Sequence, residues 1–266
     1  AVHNLAKGLL AIGDNEAALE NFEESFELSG NPVMFSLADA YIVQGRYDDA
    51  LQFIGSVDNS ASPNFALWAR YRKIQLYADR GDLEQALDLA SQMLSEAKSP
   101  DQTSKMRAVM VALLEGGADS DAFLNALGDA MAFELDRHSN APARGSRIIL
   151  SHLAILARVA LRNGATELAE PAIRLVRAGL PGNGFPVDQA LYEVLESEVL
   201  LQQGDAQGAL QAANRSIAAA QLWQANESLA RIHSALGNEA ERIKALEWLQ
   251  YHRGLAFIET IDWFYG

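Results

Sequence analysis

A glycine recurs at one place in a repeating apolar pattern, and that recurrence restricts the chain to a stack of similar parts. Six times an apolar-periodic stretch runs into a Gly and is followed by a second apolar stretch containing Ala. The glycines are Gly13, Gly45, Gly81, Gly164, Gly204 and Gly237, in the contexts AIGDNEAAL, VQGRYDDAL, DRGDLEQAL, RNGATELAE, QQGDAQGAL and ALGNEAERI. Their spacings are 32, 36, 83, 40 and 33 residues. The long interval has room for one further, degenerate repeat over residues 104–135, turning at Gly116–Gly117, which makes seven in all.

Each repeat reads as two helices joined by a tight turn. The Gly ends the first helix in the left-handed conformation. The residue after it, as Asp14, Asp82, Asp205 and Asn238, is suited to capping the second. Prolines 32, 63, 100, 142, 181 and 186 lie between repeats, where they start or stop helices. Pro171 falls inside a second helix and is expected to bend it or delay its start. Strand alternation and Asn-Gly hairpin signals are absent, so the chain is expected to be all-α.

The small and large residues keep a register. The second repeat carries Met34, Leu37, Ala38, Tyr41, Gly45, Tyr47, Ala50 and Ile54. The first has Val2, Leu5, Ala6, Leu9, Gly13, Ala18 and Phe22, and the fifth Leu153, Leu156, Ala157, Gly164, Ala169, Ile173 and Pro181. In the sixth, Ser197, Gly204 and Ala209 hold the small positions. On these residues the chain resembles the tetratricopeptide repeat family over nearly its whole length. The resemblance implies a right-handed α-solenoid of antiparallel helix hairpins, one continuous domain over residues 1–266, with first-helix faces lining a groove. It also implies binding of a protein or peptide without chemistry. Two departures stand out: Ile74 replaces a small residue in the third repeat, and Arg242 replaces the second-helix Ala in the seventh, so local packing should differ there.

Composition narrows the function. With 21 Lys and Arg against 35 Asp and Glu, the net charge is −14, which repels phosphate backbones and anionic lipid. No nucleic acid and no membrane insertion are expected, since the longest apolar run, residues 148–161, is broken by His152 and Arg158. The chain has no Cys, which excludes disulfides, thiolate metal sites and a Cys nucleophile. The histidines His3, His138, His152, His233 and His252 never stand three or four apart, so no helical metal pair arises. Gly182 and Gly184 lack the Lys-Ser/Thr of a phosphate loop, and no G-x-S-x-G occurs. No enzyme, cofactor or metal is expected.

Charge is uneven along the chain. Residues 1–60 hold 2 basic and 10 acidic side chains, whereas residues 146–182 hold 5 basic and 2 acidic. Arg147, Arg158 and Arg162 share one helical face. In the repeat register, Arg158, Glu198 and Arg231 occupy the same first-helix position. Two readings follow: an internal ladder of ion pairs, or a clamp of Arg158, Arg162 and Arg231 for a peptide carboxylate. A second groove candidate is Trp68, Tyr71, Arg72 and Gln75, residue types enriched where partners bind, although Trp68 and Tyr71 would equally pack on the preceding repeat. The carboxylate clamp of some family members needs Lys and Asn where this chain has His3, Lys7, Phe35 and Asp39, and is not expected.

Six of the 21 aromatic residues crowd the end: Trp248, Tyr251, Phe257, Trp263, Phe264 and Tyr265. Residues 239–266 are expected to form a terminal helix and a cap over the last apolar face, or a docking surface that supports self-association. The chain opens at Ala1 without a leader, as expected of a fragment or processed chain. The expected function is the sensing or interaction part of a larger bacterial regulatory protein in the cytoplasm. A free-standing scaffold in envelope assembly or secretion, with a periplasmic location, is the alternative.

Overall fold

The computed structural model describes residues 2–29, 36–58, 63–115, 117, 119–141, 143–182 and 184–254. Among them, fourteen helices follow one another and no strand occurs. They come in pairs: α1 (Val2–Ala11) with α2 (Asn15–Ser29), α3 (Ser36–Val43) with α4 (Tyr47–Asp58), and α5 (Pro63–Arg80) with α6 (Leu83–Ser95). Then come α7 (Pro100–Leu114) and α8 (Ser120–Asn140), which start earlier and end later than the expected fourth repeat. The last three pairs are α9 (Ala143–Arg162) with α10 (Thr166–Gly179), α11 (Pro186–Gln202) with α12 (Ala206–Ala219), and α13 (Trp223–Ala235) with α14 (Glu239–Tyr251).

The six recurring glycines all have positive φ, between 70° and 87°. Each closes the first helix with the same two backbone bonds. In the second repeat Gly45 N–H donates to Ile42 C=O and Arg46 N–H to Tyr41 C=O, both at 2.9 Å. Five residues after these glycines stand Ala18, Ala50, Ala86, Ala169 and Ala209, all fully buried. Seven residues before them stand Ala6, Ala38, Ala157 and Ser197, also fully buried, so paired helices approach at side-chain-poor positions. Asp119 and Asp205 cap α8 and α12 through Ala122 N–H and Gly208 N–H, at 2.9 and 2.8 Å. Asp82 does not cap α6 with its side chain; it pairs with Arg80 instead. Pro63, Pro100 and Pro186 open α5, α7 and α11. Pro171 does not delay α10, which begins at Thr166 and carries the proline inside.

The chain divides into two compact units, one of residues 1–113 with the chain end from His252, the other of Leu114–Tyr251. The division falls within the degenerate fourth repeat, so α7 belongs to the first unit and α8 to the second. In the first unit, one core gathers Leu10, Phe22, Leu37, Ile42, Ile54 and Leu76. A second gathers Tyr71, Ile74, Met93 and Met106 around the alanines of α6, which is where the bulky Ile74 finds room. Residues from the chain end join this unit: Arg253 pairs with Asp79, which also accepts from Tyr47 Oη at 2.8 Å. A Cβ at Gly254 would lie 2.5 Å from Leu10 C=O, so only glycine fits there. In the second unit Leu153, Leu161, Leu180 and Leu195 are buried, and Arg242 stays at the surface paired with Glu239.

Candidate functional site

In the second unit the first-helix register brings Arg158 of α9, Glu198 of α11 and Arg231 of α13 side by side, one residue after Ala157, Ser197 and Ala230. Arg231 Nη1 donates to Glu198 Oε2 at 2.5 Å, and Arg158 Nε lies 3.7 Å from Glu198 Oε1. Ser228 Oγ donates to the same carboxylate at 2.9 Å. Arg158 also pairs with Glu227. Arg162, one turn further along α9, donates to Glu227 at 2.7 Å and to Glu115 at 2.6 Å through Nε, while Asn163 reaches Glu115 at 2.7 Å. Glu198 is 0% and Arg158 5% exposed. Three arginines thus meet three glutamates.

Burial acts against both charges in this network, and the pairing outweighs it. Burial would raise the Glu227 carboxyl, but Arg158 and Arg162 hold it below its ordinary value. Burial would lower the Arg162 guanidinium, but Glu115 and Glu227 raise it. Arg158, Arg162 and Arg231, which the sequence set either in a ladder or against a ligand carboxylate, each pair with a carboxylate of the chain. Register alone identified Glu198. Glu227 lies one helical turn before Arg231 and Glu115 just after α7, in the repeat where register is lost, so neither was found. Arg147 joins a different pair, to Asp188 at 2.5 and 3.0 Å, with its guanidinium 3.8 Å over the Phe185 ring.

In the first unit, the second candidate group lies largely inside the protein. Arg72 of α5 is 2% exposed, with Nε 2.8 Å from Asp39 of α3 and Nη1 donating to Gln75 at 2.5 Å. Tyr71 is 4% exposed, and Trp68 half-buried beside it with ring centroids 6.4 Å apart. Their faces receive Lys105 of α7, whose Nζ lies 3.8 Å from the Tyr71 centroid and 4.8 Å from that of Trp68. Ring faces favour a cation. Burial, joined by the Arg72 charge, wins and pushes the Lys105 ammonium down to about 6. Arg72 therefore holds repeats together rather than lining an open surface. Asp39 stands six residues before Gly45 and Arg72 nine before Gly81, so the pair crosses the repeat register and no sequence signal pointed to it. Lys105 beside Met106 on an apolar face gave no signal either.

Among the described residues, each unit holds an open cavity. One, of about 330 Å³, is framed by α5, α6 and α7 in the first unit. The other, of about 390 Å³, is framed by α9, α10 and α11 in the second, with Arg174 and Arg177 at its rim. Among the described residues, no three or more His, Asp or Glu stand together as a metal site, and no helix is long and apolar enough to cross a membrane. Of the aromatic end, Trp248 is half-buried and Tyr251 58% exposed on α14; Phe257, Trp263, Phe264 and Tyr265 lie outside the described residues.

The tetratricopeptide repeat family matches residues 32–55 and 67–92, the segments that turn at Gly45 and Gly81. Among solved structures, the chain is similar to the TPR2AB-domain:pHSP90 complex of yeast Sti1, at 17% identity over 98% of both chains, with a TM-score of 0.31. No curated protein matches the sequence.

Proposed function

On the premise of a tetratricopeptide-repeat protein, we propose that the chain is a non-catalytic module that binds a protein or peptide. The observation that carries this reading is the run of six identically closed helix hairpins, five of them with a fully buried alanine five residues after the turn glycine. A stack built that way presents long helix faces to another chain. A binder changes nothing by itself, so its occupancy must be read out by another domain or chain. The finer reading is therefore the sensing or interaction part of a larger bacterial regulatory protein, cytoplasmic, with the coding sequence upstream of Ala1 as its check: an effector domain there supports it and a secretion signal contradicts it. The binding reading itself is tested by selection from a random dodecapeptide library. The expected result is convergence on a motif that titrates stoichiometrically in calorimetry. A library that enriches nothing beyond an unrelated helical protein contradicts it.

A further inference from the structure

We propose that the cavity framed by α5, α6 and α7 is a ligand site for a linear peptide segment in which a large apolar side chain stands next to carboxylates. The proposal rests on the binding-module reading and gives that reading a place and a chemistry. Its floor is apolar, made by Leu67, Tyr71, Met93 and Met106, and Arg70 and Lys98 stand at its rim. A volume of about 330 Å³ suits one or two side chains, at the low end of the ~300–1,000 Å³ typical of ligand clefts. Two flexible thioethers let the floor adapt to the shape that enters.

Arg70 lines the cavity. It stands eleven residues before Gly81, where the first, second and fifth repeats have Val2, Met34 and Leu153. Leu153 at that place is fully buried. The guanidinium instead turns to Glu96, with Nη1 donating to Oε2 at 2.5 Å. Its Nη2 is buried and makes no hydrogen bond. A guanidinium donor left unmade is costly, and a turn of the Arg70 side chain that brings Nη2 to the cavity lets an incoming oxygen acceptor satisfy it.

Charge selects the acceptor. The chain as a whole has a net charge of −14. At the cavity itself Arg70 and Lys98 outnumber Glu96. The similar-sized cavity in the second unit lacks this feature. Its Arg177 is bound twice by Glu196, at 2.7 and 2.9 Å, and Arg174 faces Glu170 at 3.8 Å. The first unit's cavity therefore combines an apolar floor with an unmet cationic donor.

Met methyl groups report on the floor directly, since the chain has only 5 Met, two of them there. Methyl-labelled protein is titrated with acetyl-Gly-Asp-Phe-Asp-Gly-amide and with two controls, Asn for both Asp and Ala for Phe. The expected result is a saturable shift of the Met93 and Met106 methyls with the first peptide, at least five-fold weaker with either control. Arg70→Met, which restores the residue type of the second repeat and leaves the exposed Glu96 with its hydrogen bond from Gln92 at 2.9 Å, should abolish the Asp-over-Asn preference. Unmoved floor methyls at millimolar peptide, equal binding of the Asp and Asn peptides, or an unchanged preference in Arg70→Met overturns the site. A saturable shift confined to Met110 or Met131 also overturns it, while leaving the binding-module reading standing.

Discussion

Arg158 sits 5% exposed between two glutamates contributed by other helices, so its removal leaves carboxylates short of a partner in a low-dielectric setting. Breaking a buried pair from one side costs about 3–5 kcal/mol. Arg231, Ser228 and Arg162 still hold those carboxylates, so Arg158→Met should lie near the lower figure, read as a lower denaturant midpoint with an unchanged slope. Arg158→Glu should cost more, because it adds like charge beside Glu198. A variant as stable as the parent would show that the network contributes little. Lys105 makes the opposite case. Its folded-state value is about 6 against an ordinary 10.5, so between those limits the unfolded chain binds more protons and stability rises with pH. Lys105→Met should stabilise the protein, most at pH 6 and below, with the gain fading towards pH 10.5. A gain independent of pH would contradict the burial argument.

At the scale of the helix, the turns were legible because a left-handed residue leaves a chemical mark: only glycine adopts φ of 70–87° without strain, and all six were found at their places. The helix pairs followed from the same marks. The fourth repeat was readable only in outline: Gly116–Gly117 marked a turn, but α8 runs past residue 135 to Asn140, two residues before Pro142. Ion pairs were legible where they follow the register, as Arg158, Glu198 and Arg231 do, and hidden where they cross it, as Arg162–Glu115 and Arg72–Asp39 do. A side chain long enough to leave its own position escapes periodicity. The small positions carry a direct test. Ala38 is fully buried on α3, so Ala38→Trp should overpack the second repeat at a cost of about 1–3 kcal/mol. Hydrogen exchange should quicken in α1–α4 and stay unchanged in α11–α14, because repeats depend on their neighbours; uniform exchange would argue against the register.

Across the whole molecule, the two units answer pH through different groups. In the second unit, Glu227 has a folded value below its ordinary 4.5, so its stabilisation is present above that value and is lost as pH falls through the lower one. In the first, Lys105 weakens the fold as pH falls from 10.5 to 6. Acid titration followed by hydrogen exchange should therefore loosen α9–α13 only below about pH 4.5, and the Arg158→Met variant at higher pH than the parent. Loosening of α9–α13 already at pH 6 would contradict this assignment. The binding claim is tested most directly by hydrogen exchange of the intact chain with and without a library-selected peptide at saturation. The account predicts slowed exchange over neighbouring helices of one unit, with α5, α6 and α7 protected if the Arg70 cavity is used. Saturating peptide that slows exchange in no helix would contradict the account of this chain as a binding module.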